Sequence, residues 1–183
     1  HMDSSHESHL PEILRRESSL PVREVTEGTA VEPGSIYVIP ANRTLTLKNG
    51  KLRLKTRGSG RHLPIDSFFD SLAADLGPAA IAILLSGLAP DGTAGMKAIK
   101  EQGGITMAEA SDSAQYPGMS ASAIQTGCVD LVLSPKEMAV ELVRIGHEIL
   151  AGKTASLPDQ NAREARGAFD RILKTVQRVT GVD

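Results

Sequence analysis

An uninterrupted apolar run over residues 80–85, followed at once by a turn containing two glycines, constrains the fold more than any other stretch. The run shows no alternation of apolar and polar residues, which is typical of a parallel strand covered on both faces. Gly87 and Gly92 bracket the turn, and Pro90 prevents an early helix start. Asp91 is therefore predicted at the carboxyl end of a central strand, where open α/β sheets bind their ligands.

Two interpretations of Asp91 follow from this placement. In the structural interpretation, its carboxylate accepts backbone N–H groups of the helix that starts near Thr93, a common role for Asp. In the functional interpretation, a carboxylate with little water around it orients a histidine. The local pattern alone gives the two interpretations about equal weight.

The remaining pattern predicts the fold class. From residue 80 onward strand and helix alternate three times, which is typical of a doubly wound, mostly parallel α/β sheet. Upstream, alternating apolar and charged residues flank Asn49-Gly50, a strong signal for a β-hairpin insertion. The predicted strands cover residues 21–25, 35–40, 43–48, 51–55, 80–85, 105–108 and 129–133. The predicted helices cover residues 10–16, 65–76, 94–102, 119–126 and 137–150.

Composition argues against several classes of function. A net charge of −2 over 183 residues and 3% aromatic residues without Trp argue against nucleic-acid binding. The single cysteine, Cys128, excludes an internal disulfide and is expected to be buried and structural. His1, His6 and His9 lack companion ligands, so we expect no metal and no cofactor. Because there is no apolar run of 18 residues and no signal peptide, we expect a cytoplasmic protein without a membrane partner.

Residues 86–96 carry a resemblance to a known family. Their sequence, SGLAPDGTAGM, resembles the (T/S)G-x-x-x-DG-x-x-GM segment of the chemotaxis receptor methylesterase (CheB) catalytic domain. Residues 31–40 and the hairpin after them resemble the block that precedes the family's H-x-P-(S/I)D segment. The resemblance implies a CheB-like α/β domain over residues 1–151, with its N-terminal part missing. It also implies that Asp91 is the third member of a Ser-His-Asp triad.

The resemblance suggests the other site residues as well. The family carries its triad histidine in a QH(M/L) motif, which His1-Met2 resembles, although an initial His-Met is also a frequent remnant of a cleaved tag. His62 precedes a helix and is a candidate for the active-site rim, with an ordinary loop histidine as the commoner alternative. The remaining residues that the resemblance places at the rim are Gly87, Gly92, Met96, Gly118 and Met119. Residues 118–121 read GMSA where the family usually has GMPR, which leaves substrate binding open.

The family's nucleophile is missing from this sequence. It lies in a GAS-x-GG strand–turn–helix upstream of the histidine, and neither that motif nor Gly-x-Ser-x-Gly occurs here. Ser59 stands in a basic loop without a preceding apolar strand, and Ser86 corresponds to a residue with a supporting role. We therefore expect the serine to lie outside these 183 residues and the chain alone to turn over little or no ester.

The C-terminal residues suggest a further domain. Residues 152–160 are predicted to form a polar linker, and residues 161–183 an amphipathic helix. That helix resembles the first helix of the receptor methyltransferase (CheR), whose domain follows CheB in natural fusion proteins. The alternative is an ordinary terminal helix that packs on its own domain or on another chain.

Two principal functions remain open at this point. The resemblance implies hydrolysis of glutamyl methyl esters, with deamidation of glutamines, on the cytoplasmic domain of a chemoreceptor. The alternative is a non-catalytic, methylesterase-like module that binds receptors or a kinase in signalling. A phosphate-binding domain is a weaker third option, because the stretch from Gly92 to Gly95 lacks the lysine of a P-loop.

Overall fold

The computed structural model describes residues 9–56 and 63–151. The predictions about His1, His6, His62, the linker at 152–160 and the helix at 161–183 lie outside the described residues. The chain divides into two compact units, His1–Ala139 and Val140–Asp183. In chain order the elements are α1 (Leu10–Glu17), β1 (Val22–Glu24), β2 (Ile36–Val38), β3 (Arg43–Lys48), β4 (Lys51–Thr56), α2 (Pro64–Leu76), β5 (Ile81–Leu84), α3 (Thr93–Glu101), β6 (Ile105–Glu109), α4 (Gly118–Gln125), β7 (Leu131–Leu133) and α5 (Pro135–Leu150).

The main sheet of the first unit is parallel and has three strands in the order β5-β6-β7. Strand β6 lies in the middle, and all five of its residues are buried. Helices α3 and α4 make the crossovers that parallel neighbours require. The prediction of a mixed α/β fold with a parallel sheet is therefore confirmed. The earlier strands do not extend this sheet, because β1 pairs with β2 and β3 pairs with β4 in sheets of their own.

The predicted hairpin is confirmed. Strands β3 and β4 are antiparallel, with Lys48 opposite Lys51 across the turn. Asn49 and Gly50 both have positive φ, 52° and 67°, as the favoured two-residue turn requires. Asp75 of α2 accepts both turn amides, from Asn49 at 2.6 Å and from Gly50 at 2.9 Å. The Asp75 side chain thus anchors the turn of the hairpin to α2.

The apolar core of the first unit joins β5 to helices α2, α3 and α4. Met96 and Ile99 of α3 are fully buried in it, beside Phe69 of α2 and Ala123 of α4. Cys128 is also buried, and its sulfur accepts a hydrogen bond from the Thr126 hydroxyl at 2.9 Å. The expectation that Cys128 is buried is confirmed.

Of the second unit, the structure describes residues 140–151, most of them in α5. Arg144 pairs there with Glu141 at 2.8 Å and with Glu148 one turn later. The hydrogen bonds that Arg144 donates to the Glu141 carboxylate raise the pKa of the guanidinium, since they favour its charged form. These i, i+3 and i, i+4 pairs stabilise the helix locally.

The described ranges, 9–56 and 63–151, lack two features. They contain no helix that combines the length and the apolar character needed to cross a membrane. The same ranges contain no cluster of three or more His, Cys, Asp or Glu side chains able to hold a metal ion.

Candidate active site

The segment between β5 and α3 places Asp91 at the carboxyl end of the parallel sheet. Asp91 is only 5% exposed. Gly92 follows with φ +94°, a backbone conformation that residues with a Cβ rarely adopt. A Cβ on Gly92 would also lie 2.8 Å from Ile65 Cγ2 and 2.9 Å from Leu84 Cδ1. Gly92 therefore lets the chain enter α3 while Asp91 remains next to the start of α2.

Both oxygens of the Asp91 carboxylate accept backbone hydrogen bonds from α2. The Ile65 N–H donates to Oδ2 at 3.0 Å, and the Asp66 N–H donates to Oδ1 at 3.0 Å. These are the second and third residues of α2, the amides that an N-cap side chain normally satisfies. The N-cap of α2 is Leu63, which has no capping side chain.

The structural interpretation, in which Asp91 caps the helix that follows it, is wrong about which helix is capped. The N-cap of α3 is Gly92, and no side chain at that position caps the helix. The left-handed backbone at Gly92 separates Asp91 from α3, and the carboxylate is hydrogen-bonded to the neighbouring helix instead. Capping and function are therefore not exclusive alternatives, because each carboxylate oxygen keeps lone-pair capacity beyond its one amide.

Asp66 makes the reciprocal contact. Its Oδ1 accepts the Gly95 N–H of α3 at 2.9 Å. Asp91 therefore caps α2, and Asp66 caps α3. Asp66 is 8% exposed. Sequence reasoning missed this role; the available signal was an acidic residue two positions after Pro64 in the first turn of a predicted helix.

The two helices approach closely at Gly95. A Cβ there would lie 2.5 Å from Phe69 Cβ, a separation that real Cβ atoms essentially never show, and 3.1 Å from Asp66 Cα, which is tighter than most real Cβ contacts. Met96, the next residue, is fully buried in the core. Of the residues expected at the rim, Met96 thus lies beneath the site and not on its surface.

A second pair of loops meets beside β5. Gly87 N–H donates to the Tyr116 carbonyl at 2.8 Å, and Met119 N–H donates to the Gly87 carbonyl at 2.8 Å. A Cβ on Gly87 would overlap Met119 Cε at 2.4 Å, and one on Gly118 would lie 3.1 Å from the Leu88 carbonyl oxygen. The structure therefore brings together Gly87, Gly118 and Met119, three of the residues predicted for the rim.

Glu109 holds the strand end next to these loops and was not singled out from the sequence. Its Oε2 accepts the Ser86 N–H at 2.8 Å, and the residue is 5% exposed. The Ser86 hydroxyl accepts the Tyr116 N–H at 2.8 Å. Ser86 is thus engaged on both its backbone and its side chain, in agreement with a supporting role.

An apolar cavity of about 1010 Å³ lies beside β5 in the first unit. Phe68 and Leu72 of α2 line it together with Leu45 of the hairpin. Ile83 of β5 and the following residues through Ala89 contribute the rest of that side. Ser86 and Gly87, which also line the cavity, belong to the segment that connects β5 to Asp91.

Asp70, one turn after Asp66 on α2, has a raised pKa. Partial burial is the larger cause, and the nearby charge of Asp66 is the second. A raised carboxyl pKa in the folded state costs stability as pH rises from the ordinary value of 3.8 through the raised pKa. We expect Asp70→Asn to be about as stable as the parent sequence at acidic pH and more stable at neutral pH. Urea unfolding of both sequences at the two pH values measures this, and an equal difference at both would contradict it.

Comparison with known proteins decides the family. The family described as CheB methylesterase matches residues 1–142. This chain belongs to the CheB methylesterase family. The family recognised from residues 86–96 is thereby confirmed, whereas the fusion to a CheR domain stays a prediction.

Relatives and a solved structure agree with this membership. The chain is 36% identical over 141 residues to protein-glutamate methylesterase/protein-glutamine glutaminase 1 of Carboxydothermus hydrogenoformans, covering 73% of this chain and 42% of that protein. It is 32% identical over 154 residues to enzyme 4 of that name from Anaeromyxobacter dehalogenans, covering 76% of this chain and 43% of that protein. The CheB methylesterase catalytic domain of Thermotoga maritima superposes with a TM-score of 0.69 at 29% identity, covering 79% of each chain. The chain thus spans less than half the length of these curated relatives.

Proposed function

We propose that this chain forms part of a protein-glutamate methylesterase and glutamine deamidase, acting on the cytoplasmic domain of a chemoreceptor. The observation that carries the proposal is the buried Asp91 carboxylate, held by one α2 amide on each oxygen at the carboxyl end of β5. Membership of the CheB methylesterase family supports assigning a catalytic role to a carboxylate in this position.

In the proposed mechanism Asp91 is the third member of a Ser-His-Asp triad. The two α2 amides fix the plane of its carboxylate, so that an unused lone pair can accept the N–H of an imidazole. The histidine is proposed to be His1. Asp91 then selects the tautomer whose other nitrogen takes a proton from the serine hydroxyl, and it stabilises the imidazolium that results.

The chemistry is an acyl transfer in two steps. The serine oxygen bonds to the glutamyl carbonyl carbon, and the C–O bond to the methoxy group breaks as the histidine returns its proton to the departing methanol. Water then gives a proton to the histidine as its oxygen bonds to the acyl carbon. The bond from that carbon to the serine oxygen breaks as the histidine passes the proton to the serine, which releases the glutamate carboxyl group and regenerates the enzyme. With a glutamine side chain the leaving group is ammonia.

The serine is proposed to lie outside the 183 residues. Two observations support this: the chain lacks the family's GAS-x-GG motif and covers 42% of one curated relative. The third observation is that β5 has an unpaired edge, because among the strands of the described residues it pairs only with β6. Another strand could pair along that edge and deliver a nucleophile at its carboxyl end, next to Asp91.

The active-site rim is proposed to contain the residues that the family motifs indicate. Gly87, Gly118 and Met119 meet one another beside the cavity, and their close approach leaves no room for a Cβ on Gly87. Gly92 sets the path of the chain around Asp91. Met96 supports the site from the core, and His62 is proposed to approach it from the residues before α2.

A non-catalytic signalling module is the second candidate. Absence of any nucleophile motif in these 183 residues favours it, as does GMSA at residues 118–121 where the family usually reads GMPR. Ser120 of that segment is fully buried, and its hydroxyl donates to the Pro117 carbonyl at 3.2 Å. Its position beneath the surface argues against a direct substrate contact there.

The surroundings of the domain are proposed from the sequence. Residues 152–160 would link it to a CheR-like methyltransferase domain that begins with the helix at 161–183. A relative of 104.1 kDa from Rhodobacter capsulatus, 36% identical over 125 residues that make up 13% of that protein, supports a place in a larger chain. Both activities would then act on the same receptor in the cytoplasm.

The test uses the natural protein that contains these residues. We expect it to release methanol from a methyl-esterified receptor fragment and ammonia from its glutamine form, and we expect the 183-residue chain alone to release neither. Replacement of a serine in an upstream GAS-x-GG segment should abolish release by the natural protein. Receptor binding without methanol or ammonia release would instead establish the signalling module.

A further inference from the structure

We infer that Asp66 is a positioning residue for Asp91. The inference rests on the proposed function, since it concerns how the triad aspartate is held. Asp66 contributes in two ways: its backbone N–H donates to Asp91 Oδ1 at 3.0 Å, and its own Oδ1 accepts the Gly95 N–H at 2.9 Å. These hydrogen bonds form a closed circuit. Asp91 is bonded to Asp66 at the start of α2, and Asp66 is bonded to Gly95 of α3, which follows Asp91 by four residues in the chain.

The circuit replaces ordinary capping at both helices. The N-cap positions, Leu63 and Gly92, supply no side-chain hydrogen bond to their own helices. Asp91 serves the second and third amides of α2, and Asp66 serves the third amide of α3. The Asp91 carboxylate thus lies at the positive, N-terminal end of the α2 dipole, and the Asp66 carboxylate lies at that end of the α3 dipole. A buried negative charge is favoured in such a position.

Steric fit makes the circuit rigid. The space at Gly95 is too small for a Cβ, with Phe69 Cβ at 2.5 Å and the Asp66 backbone at 3.1 Å. The two helix starts therefore pack in backbone contact, and the Gly95–Asp66 hydrogen bond sets their offset. Because Asp91 is attached to α2 through its side chain and to α3 through the chain, a change in that offset moves its carboxylate.

The geometry assigns Asp66 to orientation and not to chemistry. Its Oδ1 accepts the Gly95 amide while its backbone N–H donates to Asp91, and the residue is 8% exposed, so its contacts are with the groups that hold Asp91. Loss of the oxygen would leave a buried amide unpaired and release the start of α3. Displacements of about 1 Å in a catalytic group can lower a rate by about a hundredfold, so the consequence should appear in turnover.

The experiment compares Asp66→Ala and Asp66→Asn with Asp70→Asn in the natural protein that contains this chain. Asp70 lies one turn later on the same helix and is largely, though not fully, exposed. Among the described residues it makes no hydrogen bond to Gly95, whose N–H donates to Asp66. We expect Asp66→Ala to lower kcat about tenfold or more per folded molecule with KM within about twofold, and Asp66→Asn, which keeps an acceptor oxygen, to lower it about threefold. Asp70→Asn should leave both constants unchanged.

Folded protein is quantified by circular dichroism at the assay temperature, so that a loss of stability is not read as a loss of turnover. If Asp66→Ala does not fold, Asp66→Asn decides the matter. Unchanged kcat in the folded Asp66 variants, with Asp91→Asn strongly impaired, would overturn the positioning role alone. Unchanged kcat in Asp91→Asn as well would overturn the proposed triad from which the inference starts.

Discussion

Asp91→Asn is expected to lower kcat by about 10⁴-fold in the natural protein that contains this chain, because an asparagine does not hold the histidine in the required tautomer. The structure adds a second effect. Asparagine offers one acceptor oxygen, whereas both Asp91 oxygens accept an amide, from Ile65 and from Asp66. One buried N–H would then face an NH₂ group, which costs about 1–3 kcal/mol of stability.

A drop in melting temperature therefore does not distinguish the structural from the catalytic interpretation of Asp91. Turnover per folded molecule does. Asp75→Asn is the matched control, because Asp75 also accepts two amides with its two oxygens, from Asn49 and Gly50 at the hairpin turn. We expect Asp75→Asn to lose stability and keep kcat within about twofold, since its amides belong to the β-turn.

Methanol release and urea unfolding are measured on both variants. If Asp91→Asn retains the kcat of the parent sequence while losing stability like Asp75→Asn, Asp91 is a cap and the hydrolase proposal loses its supporting residue. A large loss of kcat confined to Asp91→Asn would support the triad.

Gly95→Ala is expected to destabilise the domain by about 3 kcal/mol or more, or to prevent folding. The added Cβ would lie 2.5 Å from Phe69 Cβ and 3.1 Å from the Asp66 carbonyl oxygen. Neither neighbour can rotate away, because a Cβ and a carbonyl are fixed by the backbone. The helices would have to separate, which would also strain the hydrogen bond from Gly95 to Asp66.

For Gly146→Ala we expect the opposite effect, a gain in stability. Gly146 lies inside α5, and a Cβ there meets nothing within 4 Å. Alanine is favoured over glycine inside a helix by about 1 kcal/mol, so Gly146→Ala should stabilise α5 by about that amount. Urea unfolding of the two variants measures the difference, and a gain in stability from Gly95→Ala would show that the helices are not in close contact there.

Much of the fold could be predicted from the sequence, because its signals act over short distances. The apolar run at 80–85 and the alternation around Asn49-Gly50 are local patterns, and both became the expected elements. The glycine-bracketed turn predicted Asp91 at a strand end, which the structure confirms. Recognition of the family came from the order of residues in short segments, chiefly residues 86–96, with support from residues 31–40 and the hairpin.

The partners of the aspartates could not be predicted in this way. Asp66 contacts Asp91 across 25 residues and Gly95 across 29, and nothing local specifies contacts at those separations. The structural interpretation considered from the sequence, a cap by Asp91 on the helix that follows it, was the contact nearest in sequence. Backbone conformation at Gly92 and the close packing of α2 on α3 selected a different helix.

The sequence by itself determined the parallel α/β class, the hairpin, the family and the location of Asp91 at the end of β5. Tertiary structure alone decided that Asp91 and Asp66 cap each other's helices and that Met96 is buried beneath them. The physical reason is that periodicity and turn residues specify local backbone geometry. The buried amide to which a carboxylate hydrogen-bonds depends instead on how segments distant in sequence pack. Here that packing is so close that no side chain fits between the two segments.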